Sequence, residues 1–592
     1  MVNLPGTLQR LTLCQPKLPE QEYDSKGIPI GILPDTEHPY LDSLGRSRQV
    51  YVYRPASIRP MLLAHSLYVV SEAAEQEEVE QLLCASGLVD LAERESAFVI
   101  FLVPGAGGWN TAMDPARADD ADVIHHVLLA GRQWYLFTGR ENGHDFLMGL
   151  IGCGAGAEMA QLAVARHPEH VNALLTFGGS LTAAALEQAG PGAPLSVWQV
   201  DPGADSAAYW RRVNGLRDIA PRDQGNTHSW TDPDNAAKQV RVSRQTVCCP
   251  IDGGMLLRFW DEVYADNVRV PSMGVGDVFN MAEIERRHKP VIHINDRCLG
   301  DNGGAPHNWY EFIPESVVSR WGEPGYRCPL IIELHGGGCW PRTACAKVQF
   351  QELGREKGFI SVYANASVEN SWNSNLLPHR LDDTAFITAL TKYLLDRYPI
   401  DPARVYISGF SNGSGMAHVM AALRPDLYAG LIAFNTRYHF SPTVAERSRA
   451  AWGGSRRMPV FSVYGTLDAE YPMTEGCGQF TQMHFWKQFN NIPDPPLREN
   501  DASGVGAAGD SVVRWGPADR NGDPLFTTHR YMTSDQAGLY LYNYTLVKNL
   551  PHTVERRVIP LAWEYISRFA RQADGRLEIK ERDPFDDEQA RL

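Results

Sequence analysis

The sequence predicts an α/β protein built from two tandem domains, each with a mostly parallel sheet flanked by helices. Strand-like hydrophobic runs alternate with helical patterns along the 592 residues, which is typical of parallel sheets covered by helices. The chain is too long for one compact core of ordinary size. Its two halves also resemble each other, which indicates a duplicated fold.

The repeat is clearest where a shift of 257 positions aligns the two halves without a gap. The identical pairs are Gly152/Gly409, Gly156/Gly413, Met159/Met416, Ala160/Ala417, Pro168/Pro425, Leu174/Leu431 and Phe177/Phe434. Trp109-Asn110 likewise parallels Trp372-Asn373. The matched segment runs through a strand, a turn, a helix and a second strand.

The candidate strands set the domain limits. They are residues 97–103, 146–151, 171–177 and 195–200 in the first half, and 329–334, 359–363, 405–408, 431–434, 460–464 and 539–546 in the second. Residues 382–398 are predicted to form a helix, and the Gly-, Asp- and Pro-rich stretch 494–523 a surface loop. We expect an extension over 1–45, a first domain over 46–275, a linker over 276–289, a second domain over 290–575 and a polar tail over 576–592.

The composition and charge of the chain limit the kinds of partner that we expect it to bind. The net charge is −15, which argues against nucleic acid or an anionic membrane surface, since both require clustered Lys and Arg. No apolar run reaches the ~20 residues that span a bilayer, and the start lacks a signal-peptide pattern. We therefore expect a cytoplasmic protein, although a secreted protein without its signal would look the same. The ten cysteines include no pair of CxxC motifs, so no metal site is predicted, and the oligomeric state stays open between a monomer and a homo-oligomer.

A candidate nucleophile lies in the run Gly-Phe-Ser-Asn-Gly at 409–413. The serine, Ser411, follows a strand and precedes a helix. A sharp turn at this point needs glycine on both sides and projects the serine hydroxyl at the top of the sheet. The alternative is a glycine-rich turn whose serine only caps the helix.

A serine nucleophile needs a base and an acid that orients it, and in this fold they follow in the order acid, then histidine. Asp468 lies just past the predicted strand 460–464, and His552 follows the strand-like run 539–546. We prefer these two over their competitors. The competing acids are Asp494 and Glu470, and the competing histidines are His439, His484 and His529.

The tetrahedral intermediate of such a reaction needs backbone N–H donors. The run His-Gly-Gly-Gly at 335–338 follows the predicted strand 329–334, where an oxyanion loop belongs. Either Gly337 or Gly338 is expected to supply one donor, and Asn412, directly after the nucleophile, the other. His335 is expected to fix the loop and not to act as the base.

From about residue 290 to 570 the chain resembles the polyhydroxybutyrate depolymerase and feruloyl esterase group of α/β hydrolases. The motifs that carry the resemblance are Leu-His-Gly-Gly at 334–337, Asp-Asp at 382–383, Ile-Asp-Pro-Ala-Arg-Val-Tyr at 400–406, the 409–413 run, Pro-Asp-Leu-Tyr at 425–428, Tyr-Gly-Thr-Leu-Asp at 464–468 and Pro-His at 551–552. The resemblance implies ester hydrolysis by Ser411, His552 and Asp468 with no cofactor.

The first half is predicted to be a degenerate, non-catalytic copy. Gly154 stands where the second half has Ser411, and Asp205 matches Asp468 with a shift of 263. A looser shift of 280 places Pro271-Ser272 on Pro551-His552, so the base is expected to be absent. A dinucleotide fingerprint at 152–157 is the rival interpretation, but the next strand lacks the acidic residue which that motif requires.

The sequence therefore predicts a serine esterase that forms an acyl-enzyme on a small or oligomeric ester with a hydroxyalkanoate-like or aromatic group. Trp340, Trp372 and Tyr471 are candidates for lining the substrate pocket. A serine peptidase or amidase remains an alternative, because a triad does not distinguish esters from amides. A non-catalytic binding protein is the second alternative.

Overall fold

The computed structural model describes residues 4–13, 42–58, 64–134, 137–138, 147–244, 250–270, 275–300, 304–366, 370–436, 439–469, 471–496, 504–519 and 521–587. The chain divides into two compact units, Met1–Glu283 and Ile284–Leu592, which we call the N-terminal and C-terminal units. Each is described by itself.

The N-terminal unit is built on a ten-stranded sheet with the order β1-β2-β4-β3-β5-β6-β7-β10-β9-β8. Its strands are β1 Thr7–Leu13, β2 Arg48–Arg54, β3 Ser66–Val70, β4 Phe98–Leu102, β5 Met148–Cys153, β6 Ala173–Phe177, β7 Ser196–Val200, β8 Arg222–Gln224, β9 Thr227–Asp232 and β10 Asn235–Ser243. The six central strands, from β4 to β10 in this order, are parallel, and two antiparallel strands extend each edge. A separate antiparallel pair follows, β11 Asn267–Val270 with β12 Asp277–Asn280.

The C-terminal unit repeats this topology with the order β13-β14-β16-β15-β17-β18-β19-β22-β21-β20. Its strands are β13 Val291–Arg297, β14 His307–Phe312, β15 Cys328–Leu334, β16 Ile360–Ala364, β17 Ile400–Phe410, β18 Gly430–Phe434, β19 Val460–Gly465, β20 Ser511–Ala518, β21 Pro524–Met532 and β22 Tyr540–Val547, with a separate pair β23 Phe569–Arg571 and β24 Leu577–Ile579. The central strands are again parallel and the edges antiparallel. The predicted class, two tandem α/β domains with mostly parallel sheets, is confirmed.

Helices connect the parallel strands and cover the sheets. They are α1 Gln76–Ala85, α2 Leu88–Glu95, α3 Asp120–Trp134, α4 Ala155–Arg166, α5 Ala183–Gln188, α6 Ala204–Val213, α7 Gly253–Phe259, α8 Met281–His288, α9 Glu315–Val318, α10 Pro341–Val348, α11 Phe350–Lys357, α12 Asp383–Arg397, α13 Asn412–Leu423, α14 Pro442–Trp452, α15 Gly478–Phe489 and α16 Ile559–Ser567. Across the described ranges, no helix combines the length and the apolar character needed to cross a membrane.

The helix predicted over 382–398 is confirmed as α12, and its ends have local causes. The Asp382 carboxylate caps the first turn by accepting the backbone N–H groups of Thr384 and Ala385. The helix stops just before Pro399, because proline disfavours a helical conformation in the residue that precedes it. The buried face consists mainly of Phe386, Ile387, Leu390 and Leu394.

Regular structure also lies in three segments outside the predicted strands and helices, and the expectation of a loop over 494–523 was wrong. The predicted loop 494–523 contains β20, the predicted extension contains β1, and the predicted linker 276–289 contains β12 and α8. Both β1 and β20 are edge strands with mostly exposed or half-buried residues. Edge strands show weak hydrophobic patterns because only part of their surface packs on the core.

Candidate active site

The turn that carries Ser411 joins β17 to α13 in the C-terminal unit. Ser411 has φ 53° and ψ −117°, a conformation that costs free energy for any residue with a side chain. A Cβ atom on Gly409 would lie 2.3 Å from the Gly413 carbonyl oxygen, and one on Gly413 would lie 2.0 Å from the Leu334 carbonyl oxygen. Both flanking positions therefore require glycine. The Ser411 N–H donates to the carbonyl of Phe434 at 2.9 Å, which ties the turn to the neighbouring strand.

The structure brings Ser411, His552 and Asp468 into one hydrogen-bonded chain. The Nε2 atom of His552 lies 2.9 Å from the Oγ of Ser411, and its Nδ1 atom lies 2.6 Å from an Oδ of Asp468. The Asp468 side chain is fully buried, whereas that of His552 is 27% exposed. The imidazole therefore stands between a buried carboxylate and a serine at the accessible edge of the sheet.

Asn435, at the end of β18, takes part in this arrangement and was missed by the sequence analysis. Its Nδ2 amide donates to Asp468 Oδ2 at 3.0 Å and to the carbonyl of Pro551 at 3.2 Å. It thus holds the carboxylate and the loop of His552 together. The Ala469 N–H donates to the other carboxylate oxygen at 2.7 Å. The sequence feature that could have indicated Asn435 is a single asparagine directly after a buried strand, at the same sheet edge as Ser411.

The loop after β15 is fixed by a buried, neutral histidine. His335 Nδ1 lies 2.7 Å from the Gly336 carbonyl, to which it donates, and Nε2 accepts the Ala366 N–H at 3.1 Å. This pattern defines the Nδ1–H tautomer. Burial lowers the pKa of His335 to about 4, which keeps the ring neutral at neutral pH. The histidine fits the predicted loop-fixing role.

The three candidate oxyanion donors differ in their surroundings. The Gly338 N–H already donates to the Asn370 carbonyl at 2.8 Å. Asn412 is the first residue of α13, so its N–H has no acceptor within the helix. A Cβ atom on Gly337 would lie 3.7 Å from the Cβ of Asn412, so these two residues are neighbours. The geometry favours Gly337 and Asn412 as a pair over Gly338.

The aromatic candidates for substrate contact fall into two groups. Trp372 is 1% exposed, and its Nε1 donates to the His335 carbonyl at 2.8 Å. The expectation that Trp372 lines the pocket was wrong, because the ring is buried against the loop that follows β15. Trp340 and Tyr471 are both partly exposed.

The competing acids and bases lie elsewhere or have other partners. His484 and Lys487 both pair with Asp494. His529 is buried on β21, and His439 is exposed. Glu470 lies outside the described residues.

The equivalent turn in the N-terminal unit has the same backbone and no hydroxyl. Gly154 has φ 59° and ψ −132°, and its N–H donates to the Phe177 carbonyl at 3.0 Å. A Cβ atom at this position would lie 3.2 Å from a carboxylate oxygen of Glu72. Asp205, the predicted match for Asp468, is exposed in the first turn of α6.

The strand register locates the position that corresponds to His552. Val240 pairs with Val197 in the first sheet, as Tyr542 pairs with Val460 in the second, so β10 and β22 match with a shift of 302. With this shift, Pro250 is the residue of the N-terminal unit that is equivalent to His552. The looser match through Pro271-Ser272 was therefore wrong, and these two residues lie outside the described ranges.

Comparisons with known proteins show similarity to esterases in the C-terminal unit. Residues 382–491 match the family model described as Phospholipase/Carboxylesterase. An acetylxylan esterase of Coprinopsis cinerea is 30% identical over 235 residues, which cover 34% of this chain and 59% of that protein. A feruloyl esterase B of Neurospora crassa is 28% identical over 144 residues, which cover 23% of this chain and 47% of that protein. A poly(3-hydroxyalkanoate) depolymerase C of Paucimonas lemoignei is 25% identical over 198 residues, covering 28% and 47%. The chain thus spans about half the length of these relatives.

The strand order and the strand–turn–helix at the centre of each sheet define α/β-hydrolase folds. The matched segments are similar to α/β-hydrolase esterases, among them acetylxylan esterases, feruloyl esterases and a polyhydroxyalkanoate depolymerase. The resemblance stated from the sequence motifs is confirmed.

Proposed function

We propose that the C-terminal unit is a serine-dependent carboxylic ester hydrolase, with Ser411 as nucleophile, His552 as general base and Asp468 as the acid that orients it. One observation carries the proposal: the continuous hydrogen-bonded chain from the buried carboxylate through the imidazole to the serine hydroxyl, at 2.6 and 2.9 Å. Both distances lie within the range required for proton transfer between these groups.

The proposed reaction has two halves. His552 Nε2 takes the proton of Ser411 as Oγ bonds to the ester carbonyl carbon, and the N–H groups of Gly337 and Asn412 stabilise the oxyanion. The carbon–oxygen bond to the alcohol then breaks, and the alcohol leaves with the proton from His552. Water, deprotonated by the same imidazole, attacks the acyl group on the serine. The acid is released and Ser411 regains its proton.

For the substrate we propose a small or oligomeric ester with a hydroxyalkanoate or aromatic group. Two of the relatives are named for feruloyl esters and poly(3-hydroxyalkanoate), and a third for acetylxylan. The partly exposed rings of Trp340 and Tyr471 are the proposed contacts for the apolar part of such an ester. No cofactor enters the proposed steps.

The test uses a fluorophosphonate probe and a panel of p-nitrophenyl esters carrying acetyl, 3-hydroxybutyryl and feruloyl groups. Wild-type protein should be labelled and hydrolyse at least one ester, and Ser411→Ala should lose labelling and on the order of a million-fold in kcat. Ser441→Ala is the matched control, because Ser441 precedes α14 and its side chain makes no capping hydrogen bond. Absence of labelling in the wild type would contradict the enzyme proposal.

Aminoacyl p-nitroanilides separate the esterase from a peptidase or amidase. The esterase should turn over the esters at least a hundredfold faster in kcat/KM than the anilides, because the proposed relatives are esterases. Turnover of the anilides alone would overturn the ester assignment and favour the peptidase.

We further propose that the N-terminal unit does not catalyse this reaction. Its turn has Gly154 in place of a nucleophile, and the position opposite His552 is Pro250. The protein should therefore incorporate one equivalent of fluorophosphonate per chain, which mass spectrometry of the intact protein measures. A second equivalent on the N-terminal unit would contradict this.

A further inference from the structure

Histidine side chains gather in the N-terminal unit at the end of α4 opposite Gly154. The group consists of His125 and His126 on α3 and of His167, Glu169 and His170 after α4, where Pro168–His170 forms a 3-10 turn. The twelve residues of α4 separate it from the turn at Gly154 by about 18 Å. The proposed ester hydrolysis does not use these side chains.

Three of these residues bring possible metal-ligand atoms close together. His170 Nε2 lies 2.9 Å from His125 Nδ1 and 3.5 Å from Glu169 Oε1. One ligand atom from each of the three lies within 4.8 Å of the other two. Ligand atoms around a tetrahedral zinc ion, each at ~2.1 Å from the metal, are roughly 3.4 Å apart. Small side-chain movements would therefore bring all three within bonding distance of one ion.

We propose that His125, Glu169 and His170 bind one divalent cation of the zinc class. Two imidazole nitrogens and one carboxylate oxygen are ligands that Zn²⁺ accepts readily, and three protein ligands leave a fourth position for water. The His167 ring stacks on that of His125 with centroids 3.7 Å apart, which restricts the orientation of this ligand. An ion here would tie α3 to the end of α4.

The C-terminal unit shows that the fold does not require these imidazoles. The shift that matches Asn110 with Asn373 places Thr388 opposite His125, and the shift of 257 places Leu427 opposite His170. His170 is 3% exposed, yet a leucine serves at the matching position of the second copy. Packing alone therefore does not account for two histidines in contact at this point.

The proposal departs from the sequence expectation of no metal site, and the reason is the spacing of the ligands. That expectation rested on cysteine pairs, whereas His125 and His170 lie 45 positions apart and meet only through the packing of α3 against the turn after α4.

The test measures zinc binding by the full-length protein after dialysis against a chelator. Titration in competition with a chromophoric zinc chelator should show that each chain binds one zinc ion tightly. Co²⁺ bound at the same site should give the visible absorption expected for nitrogen and oxygen ligands. Glu169→Gln and His125→Asn should each lower the affinity for this zinc ion at least tenfold, because each removes one of its ligands. Glu169→Gln keeps the size of the side chain, and circular dichroism of both metal-free variants verifies that they fold.

His228→Ala is the matched control, since His228 is a half-exposed histidine paired with Asp223 in the same unit. Its zinc affinity should stay within about twofold of the wild type. Zinc should also raise the melting temperature of the wild type more than that of Glu169→Gln. No tight equivalent in the wild type, or equal loss in His228→Ala and Glu169→Gln, would overturn the proposal.

Discussion

The pH dependence of stability tests whether His335 fixes the loop after β15 as a buried neutral ring. Burial lowers the pKa of His335 to about 4 in the folded protein, against 6.5 for an ordinary histidine. Because the folded value lies below the unfolded value, the unfolded chain takes up the proton first as the pH falls. The stability that depends on the neutral ring is thus complete above about pH 6.5 and is lost toward pH 4. Linkage over this window gives a loss of about 2 kcal/mol in unfolding free energy between pH 7 and pH 4.5.

The perturbation is His335→Gln, which removes the titration and keeps an oxygen that can accept the Ala366 N–H. Urea unfolding at pH 7 and pH 4.5, followed by proteolysis of the C-terminal unit, measures both proteins. The wild type should lose about 2 kcal/mol more than the variant between the two pH values, because all other titrating groups are shared. His484→Gln, at an exposed histidine, should behave like the wild type. Equal pH dependence in wild type and His335→Gln would refute the reasoning.

Three further predictions test the proposed site. Asn435→Ala should lower kcat about fivefold with little change in KM, since the Asp468 carboxylate loses a hydrogen bond worth roughly 1 kcal/mol; unchanged steady-state kinetics would contradict this positioning role. Trp372→Phe should cost about 1–3 kcal/mol of unfolding free energy and leave KM within about twofold of the wild type. Trp340→Ala should raise KM. A raised KM in Trp372→Phe with an unchanged KM in Trp340→Ala would indicate that Trp372, and not Trp340, contacts the substrate. Gly154→Ser in a Ser411→Ala background should fold and remain inactive toward p-nitrophenyl esters, and recovered hydrolysis would show that the N-terminal unit retains a base.

The turn that carries Ser411 was predictable because its requirements are local. Two glycines around Ser411, a strand before and a helix after are all visible in the sequence, and the structure shows the contacts that exclude side chains at Gly409 and Gly413. Asp468 and His552 were predictable for a different reason: both follow strands that run parallel to β17, and parallel strands end at the same edge of a sheet.

Other features depend on packing that the sequence does not encode locally. Asn435 follows a strand like many turn residues, and only the fold shows that its amide reaches both the triad carboxylate and Pro551. Trp372 is a large aromatic residue of the kind that often lines substrate pockets, yet its ring is buried against the loop that follows β15. The histidine cluster combines segments that no short spacing connects. Edge strands β1 and β20 bury too little apolar surface to give a strong pattern.

The two units together separate what the fold needs from what the proposed chemistry needs. Each has a buried set of hydrogen bonds, here called the brace, close to the turn after its central strand. In the N-terminal unit it is formed by Trp109, Asn110 and Asp120. In the C-terminal unit it is formed by Trp372, Asn373 and Asp383. The indole N–H donates to the carbonyl of the residue that follows the central strand, at 2.7 Å in the first unit and 2.8 Å in the second. The asparagine N–H is bound by the aspartate carboxylate at 2.8 and 2.7 Å.

This brace is complete in the unit that has a glycine at the nucleophile position. Its hydrogen bonds are buried, so their loss would leave unsatisfied polar groups at a cost of about 1–3 kcal/mol each. The fold does not require the serine or the histidine of the C-terminal unit, because Gly154 and Pro250 stand at the equivalent positions of an otherwise matching fold. The brace therefore belongs to the stability of the α/β unit, and the proposed catalytic function rests on a few side chains added at its accessible edge.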